Sequence, residues 1–463
     1  MADLPRFDRK MSDAEGLMWR LEKDPHLSST FANVTILDRA ADFDNFLRRM
    51  ERTVYAVPRL HQRVQPAPVN LTSPMWVDDP NFDLRYHVRH VSLPKPGTMR
   101  QLLDYASLLA CDSFDRTRPL WQFVMVDGLR GGKSALIQKM HHTIVDGEGG
   151  VQMSMQFLDF DRDPPEPAPL DPDLIAAAEE AVARETVQVD LLRELLNGSL
   201  RVPITLLKQV KDFLADPAGI PDAGNAAAET VRGVLQQLGD TEAARSPLWR
   251  KRSLHRRMEI LRAPFDETRH AAKRLGGTLN TAFLTAAAEA AGRYHIEMGS
   301  PVQELRSSMA ISTRTKDSGA NAFSLARMLV PTGDMPIADR FAAIQTAAHQ
   351  ARGSSGGASL DALAAFAATL PTSVITRLAR QQAQTVDFAT SNVRGAPVPL
   401  YVAGAQLLEN YPVGPLAGVA YNLTLLSYNH SLDMGVNIDT EAVADPELLR
   451  RCLERAFNDL LTA

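Results

Sequence analysis

The chain has 463 residues, 45% of them hydrophobic and 23% charged, enough to bury large cores in two or three globular units. Lys and Arg number 50 against 55 Asp and Glu, a net charge of −5, so the totals carry no basic nucleic-acid footprint and nucleic acid is not an expected partner. Two cysteines, Cys111 and Cys452, form no CxxC pair, which fits a reducing compartment and excludes a cysteine-rich zinc site. The basic start Met1 to Lys10 is followed by no apolar stretch, and no apolar run approaches about 18 residues, so neither a signal peptide nor a membrane span is expected. Cytoplasm is the expected location.

In chain order, Ser28 to Asp127 alternates β-rich pieces such as Phe31 to Leu37 with helical ones such as Met99 to Ala110. Ser134 to His141 reads as a strand. Glu148 to Phe160 reads as a helix with Val151, Met155 and Leu158 on one face. Residues 161–172 contain five prolines, which cannot continue a helix and mark a linker. From Asp173 to about Leu238 the pattern is helical with proline interruptions, and Pro203 to Leu214 carries Ile204, Leu207, Val210 and Leu214 on one stripe beside Lys208 and Lys211. That stripe fits either a helix packed on its own protein or one lying on a membrane surface. A second mixed unit follows: a strand at His255 to Leu261, a helix from Pro264 stopped by Gly276 and Gly277, and another helix entered through Thr278. Further strands are expected at Ser307 to Thr313, Leu325 to Pro331 and Thr385 to Thr390, and a hairpin from Tyr421 to Ile438 turning at Asn429 and His430. The division expected is 1–160, a linker at 161–250, and 251–463.

His141-His142-Thr143-Ile144-Val145-Asp146-Gly147 places two imidazoles and a carboxylate where a strand ends and a helix begins. A histidine titrates near neutrality and suits a general base taking a proton from an alcohol or thiol. Asp146, just before the helical run, suits a helix N-cap that holds the turn. The residues alone also allow strand-end histidines with satisfied hydrogen bonds, the commoner setting for such a pair. A metal site lacks ligands: there is no HExxH and no nearby cysteine. Gly128 to Ser134 is one residue short of a phosphate-binding GxxxxGK[ST] loop and precedes a strand, so it reads as a hairpin turn. Gly353 to Gly357 satisfies GxSxG but follows a helical stretch, so it reads as a loop and not a nucleophile elbow.

HHTIVDG resembles the HHxxxDG motif of the bacterial wax ester synthase/acyl-CoA:diacylglycerol acyltransferases, in the superfamily with the chloramphenicol acetyltransferase fold. It is accompanied in order by PMWVDD at Pro74 to Asp79, by Asp115 to Trp121 with Pro119-Leu120-Trp121, by Ser391-Asn392-Val393, by Tyr411 to Pro415, and by Asn422-Leu423-Thr424 with Ser427-Tyr428. The resemblance covers nearly the whole chain. It implies two linked α/β subdomains with mixed sheets and an active-site channel at their interface. It also implies His142 as the base, His141 beside it, Asp146 as structural carboxylate, and Gly147, Pro119, Leu120 and Trp121 as support for the turn and motif. Asn280, Ser391 and Asn392 are the candidates for oxyanion or substrate contact. Thr281 stands where the family usually has aspartate, and Arg394 where it usually has proline. The implied activity is O-acyl transfer from acyl-CoA, as substrate, to diacylglycerol or a long-chain alcohol, with no cofactor and no metal. The expected partners are acyl-CoA and a lipid alcohol, met at the inner membrane or a lipid-droplet surface. Two rival readings are a relative using a carrier-protein donor or an amine or polyketide acceptor, and a non-catalytic lipid-binding scaffold.

Overall fold

Two six-stranded mixed sheets organise the computed structural model, which describes residues 8–66, 73–165, 244–312, 323–354, 364 and 371–463. In the first half, α1 (Asp13–Leu21) starts at a capping box made by Ser12 and Glu15. Strand β1 (Thr30–Leu37) leads to α2 (Phe43–Ala56), capped by Asp42, and then to the small ribbon of β2 (Gln62–Gln65) and β3 (Met75–Asp78). The one-turn helix α3 (Leu84–His87) and β4 (Val88–Ser92) precede α4 (Met99–Cys111), whose Thr98 and Gln101 form a second capping box. Strands β5 (Trp121–Leu129) and β6 (Lys133–His141) form a hairpin, and Gly131 and Gly132 at its turn take φ of 86° and 73°, which only glycine adopts readily. This is the turn expected of the Gly128 to Ser134 stretch. Helix α5 (Gly147–Ser154) follows.

The second half contributes β7 (Arg256–Pro264), α6 (Phe265–Arg274), α7 (Leu279–Glu297), β8 (Glu304–Ser312), β9 (Phe323–Pro331), α8 (Ile337–Ser354), α9 (Thr372–Ala383), β10 (Phe388–Arg394), β11 (Tyr401–Val402), β12 (Ala405–Val413), β13 (Tyr421–Tyr428), β14 (Ser431–Asp439) and α10 (Pro446–Thr462). Alanine-rich α7 is buried on nearly every side, and Gly292 lies so close to the Thr332 carbonyl that a Cβ would come within 2.1 Å of it. The β13–β14 turn uses Asn429 and His430 at φ of 41° and 63°, the left-handed pair that a two-residue hairpin of matching twist requires.

The first sheet runs β11-β12-β1-β6-β5-β4 and the second β7-β14-β13-β10-β8-β9. Strand β12 therefore leaves its own half and pairs antiparallel with β1, Ala32 opposite Val413 and Val34 opposite Tyr411. It passes so close over β14 that a Cβ on Gly435 would lie 2.0 Å from the Pro412 carbonyl oxygen. The segment 251–463 is thus not a self-contained sheet unit, because residues 401–413 complete the sheet of the first half. The expected helix from Glu148 to Phe160 ends at Ser154. Phe157 turns into the core, and Asp159 bonds both ways with the Tyr401 backbone at 2.8 and 2.9 Å. The strand expected from Thr385 begins instead at Phe388, because the buried Asp387 carboxylate is taken by the backbone N–H groups of Ser246 and Arg306 at 2.9 and 2.8 Å. Gly353 and Ser354 close α8, while residues 355–357 lie outside the described residues, as do the proline-rich stretch from 166 onward and the Pro203 to Leu214 stripe.

Candidate active site

Strand β6 delivers the histidines. Side chains alternate along a strand, so Leu136, Gln138 and Met140 face one way and His142, just past the strand end, continues that row into a cavity of about 530 Å³ between the two sheets. The His142 N–H donates to the Ser29 carbonyl at 3.1 Å, and its ring meets Phe31 with centroids 4.7 Å apart. The imidazole is partly exposed, on the side where it lines the mostly apolar cavity. Desolvation therefore pushes its pKa down to about 4, opposed by the Asp146 charge and helped by His141. The ring is neutral at physiological pH.

His141 points the other way and is fully buried. The Thr143 N–H donates to its Nδ1 at 3.2 Å, which leaves Nε2 to donate to Glu22 Oε2 at 2.9 Å. Burial would raise the Glu22 carboxyl, but His141, the Ser28 hydroxyl at 2.6 Å and the Ser29 N–H at 2.8 Å outweigh it and hold Glu22 at about 2. One carboxylate thus fixes both His141 and the Ser29 segment on which the His142 backbone rests. Glu22 was not found from the sequence: it follows α1 and lies 119 residues from His141, with no local pattern to mark it.

Asp146 caps α5, accepting from the Gly149 N–H at 2.8 Å, and is 6% exposed at the cavity edge. Its cap role is as expected. Gly147 does not take a left-handed backbone, however. Its role is space, since a Cβ there would lie 2.9 Å from Val393 Cγ2 on β10. Pro119, Leu120 and Trp121 do not line the cavity but lie beneath the strand end: the Leu120 carbonyl accepts from the His141 N–H at 3.0 Å, and Trp121 stacks on His87 at 4.7 Å.

Ser391 and Asn392 on β10 line the same cavity as His142, in register with Thr424 and Leu425 of β13. Asn422 and Thr424 join them, and the Asn422 side chain donates to the Pro415 carbonyl at 2.7 Å, tying together two of the stretches that carry the resemblance. Asn280 is not brought there. It lines a separate pocket of about 60 Å³, where its Nδ2 lies 3.2 Å from Met309 Sδ. Met309 points back toward α7 while its strand neighbours Ser308 and Ala310 face the large cavity, so strand alternation puts Asn280 on the wrong side of β8 for oxyanion or substrate contact. Thr281 sits in the same capping turn, its hydroxyl 3.0 Å from that of Thr278. Arg394 is exposed at the end of β10. Among the described residues no three His, Cys, Asp or Glu side chains gather as metal ligands would.

Residues 11–283 match the family model described as the wax ester synthase/diacylglycerol acyltransferase catalytic domain, and residues 319–461 match its C-terminal domain. A putative diacylglycerol O-acyltransferase of Mycobacterium tuberculosis is 31% identical over 99% of this chain and 92% of its own length. A probable diacylglycerol O-acyltransferase of the same organism is 26% identical over 96% of this chain and 94% of its own. Among solved structures, the wax ester synthase/diacylglycerol acyltransferase from Marinobacter aquaeolei VT8 superposes with a TM-score of 0.65 at 21% identity, covering 97% of this chain and 98% of that one. The first condensation domain of the calcium-dependent antibiotic synthetase shares the fold at a TM-score of 0.59 and 14% identity, covering 99% and 96%. With both family models matched in order, this chain belongs to the wax ester synthase/diacylglycerol acyltransferase family.

Proposed function

We propose that the chain moves a long-chain acyl group from coenzyme A to the hydroxyl of a lipid alcohol, diacylglycerol or a long-chain alcohol, with His142 as general base. The observation that carries this reading is a neutral imidazole presented to an apolar cavity between the two halves. His142 takes the hydroxyl proton as the oxygen attacks the thioester carbon. The tetrahedral oxyanion collapses, the carbon–sulfur bond breaks, and the departing thiolate recovers the proton from the imidazolium. Asp146 assists at a distance, since its charge favours the imidazolium that forms transiently. Ser391 and Asn392 are the side chains proposed to contact the oxyanion or the substrate.

An imidazole held near 4 is a weak base in the resting protein, but one that is always in the form able to accept a proton. The acceptor class places the reaction at a lipid surface, by peripheral docking at the inner membrane or a lipid droplet. The apolar lining favours a hydrocarbon-bearing acceptor over a charged amine. The test is thiol release from palmitoyl-CoA with a panel of diacylglycerol, hexadecanol and amine acceptors, run beside palmitoyl groups on a carrier protein. Release that depends on an alcohol supports the reading. Preference for the carrier-bound donor or the amine replaces it with the condensation-type alternative, and palmitoyl-CoA binding without release points to a non-catalytic scaffold.

A further inference from the structure

Helix α1 turns Ala14, Leu17, Met18 and Leu21 toward the large cavity. Positions i, i+3, i+4 and i+7 form one helical face, here a continuous apolar stripe. Met11 and Trp19, on other sides of the same segment, are buried in the first half's core, whereas Leu17, Met18 and Leu21 keep part of their surface toward the cavity. The stripe has a direction. Leu21 immediately precedes Glu22, which bonds His141 beside the proposed base, and Ala14 lies two turns away, about 10 Å along the helix axis.

The helix is also pinned. Asp24 forms a two-point ion pair with Arg380 of α9, and Arg20 Nε donates to Thr372 Oγ1 at 3.4 Å. At the other end the Ser12–Glu15 capping box fixes the first turn. Ala379 and Ala383 of α9 face the same space from the second half of the chain. A fixed wall of this kind is what a length gauge needs, because a mobile one would yield to a longer chain.

We infer that the α1 stripe is the surface along which a substrate's alkyl chain lies, so that Leu21, Met18, Leu17 and Ala14 set the preferred chain length. This rests on the transferase reading above. The gauge is graded: bulk added near Leu21 excludes medium and long chains, and bulk added at Ala14 excludes only long ones. Such pockets discriminate by about tenfold or more for each methylene gained or lost.

The experiment measures kcat/KM for butyryl-, octanoyl- and palmitoyl-CoA at fixed acceptor, and for hexanol, dodecanol and hexadecanol at fixed palmitoyl-CoA. It compares wild type with Met18→Trp, Ala14→Phe and the milder Ala14→Leu, each checked for folding by its melting temperature. The expected result is a fall of about tenfold or more in the palmitoyl-to-butyryl ratio for both large substitutions. The octanoyl-to-butyryl ratio falls only for Met18→Trp. A shift in the donor series assigns the wall to the acyl chain, and a shift in the alcohol series assigns it to the acceptor. Unchanged ratios in both series for folded variants overturn the inference while leaving the transferase reading in place. If wild type transfers nothing, that reading fails by itself. The wall is then read by calorimetric binding of palmitoyl-CoA against butyryl-CoA, where an unchanged ratio in the variants overturns it and a fall supports it.

Discussion

The two faces of β6 are one residue apart in sequence and opposite in chemistry. On one face Gln138, Met140 and His142 meet the cavity, where the imidazole is desolvated and neutral. On the other, Lys139 donates to the Asp112 carbonyl at 2.6 Å and His141 is held between Thr143 and Glu22, with polar partners on both ring nitrogens. The pleat of a strand separates the proposed base from the imidazole that Glu22 and Thr143 hold, without any intervening residue. Paired histidines in a motif therefore need not share an environment.

The contrast is broken most severely by replacing the cavity-side ring. His142→Ala is expected to lower kcat for acyl transfer by about 10²–10⁴, with the melting temperature close to wild type and palmitoyl-CoA still bound. Near wild-type turnover in a folded variant ends its assignment as the base.

On the supporting face the effect is smaller and of another kind. Glu22→Gln keeps the shape but removes the charge that meets His141, Ser28 and Ser29, and is expected to cost about 1–3 kcal/mol of stability. Denaturant unfolding measures that loss. The transfer assay should show kcat falling several-fold with the KM for acyl-CoA little changed, because Glu22 acts through the Ser29 segment and not on substrate. A large KM effect would move Glu22 to the substrate side.

Asp146 lies at the border of the two faces, and substitution divides its tasks. Asp146→Ala loses the cap on α5 and should cost about 0.5–2 kcal/mol, whereas Asp146→Asn retains a capping oxygen and should unfold close to wild type. Both lose the charge that favours a protonated His142, so both should lose activity to a similar extent. An Asn variant as active as wild type would leave Asp146 with the cap alone.

Local signals carried much of this structure. The hairpin at Gly131 and Gly132, the Asn429-His430 turn and the Thr278 cap are written within a few residues, and so is the Asp146 cap. What stayed hidden is what the chain brings together over long separations. The pairing of β12 with β1 joins Val413 to Ala32, and Glu22 meets His141 across 119 residues; neither leaves a pattern in a short window. The position of Asn280 is hidden for a related reason: its helix is legible in the sequence, but which side of β8 it faces depends on the register of Met309, which the helix does not encode.

If His142 is a neutral base inside a desolvated cavity, the pH dependence of kcat/KM carries its signature. A group whose pKa is lowered to about 4 is in its proton-accepting form throughout the range above that value, so acyl transfer should show no acid limb between pH 8 and pH 5. Loss of activity should begin only as the pH falls toward 4. A tenfold decline per pH unit starting near 6.5, the ordinary histidine value, in protein that remains folded would mean that the base is not a desolvated His142.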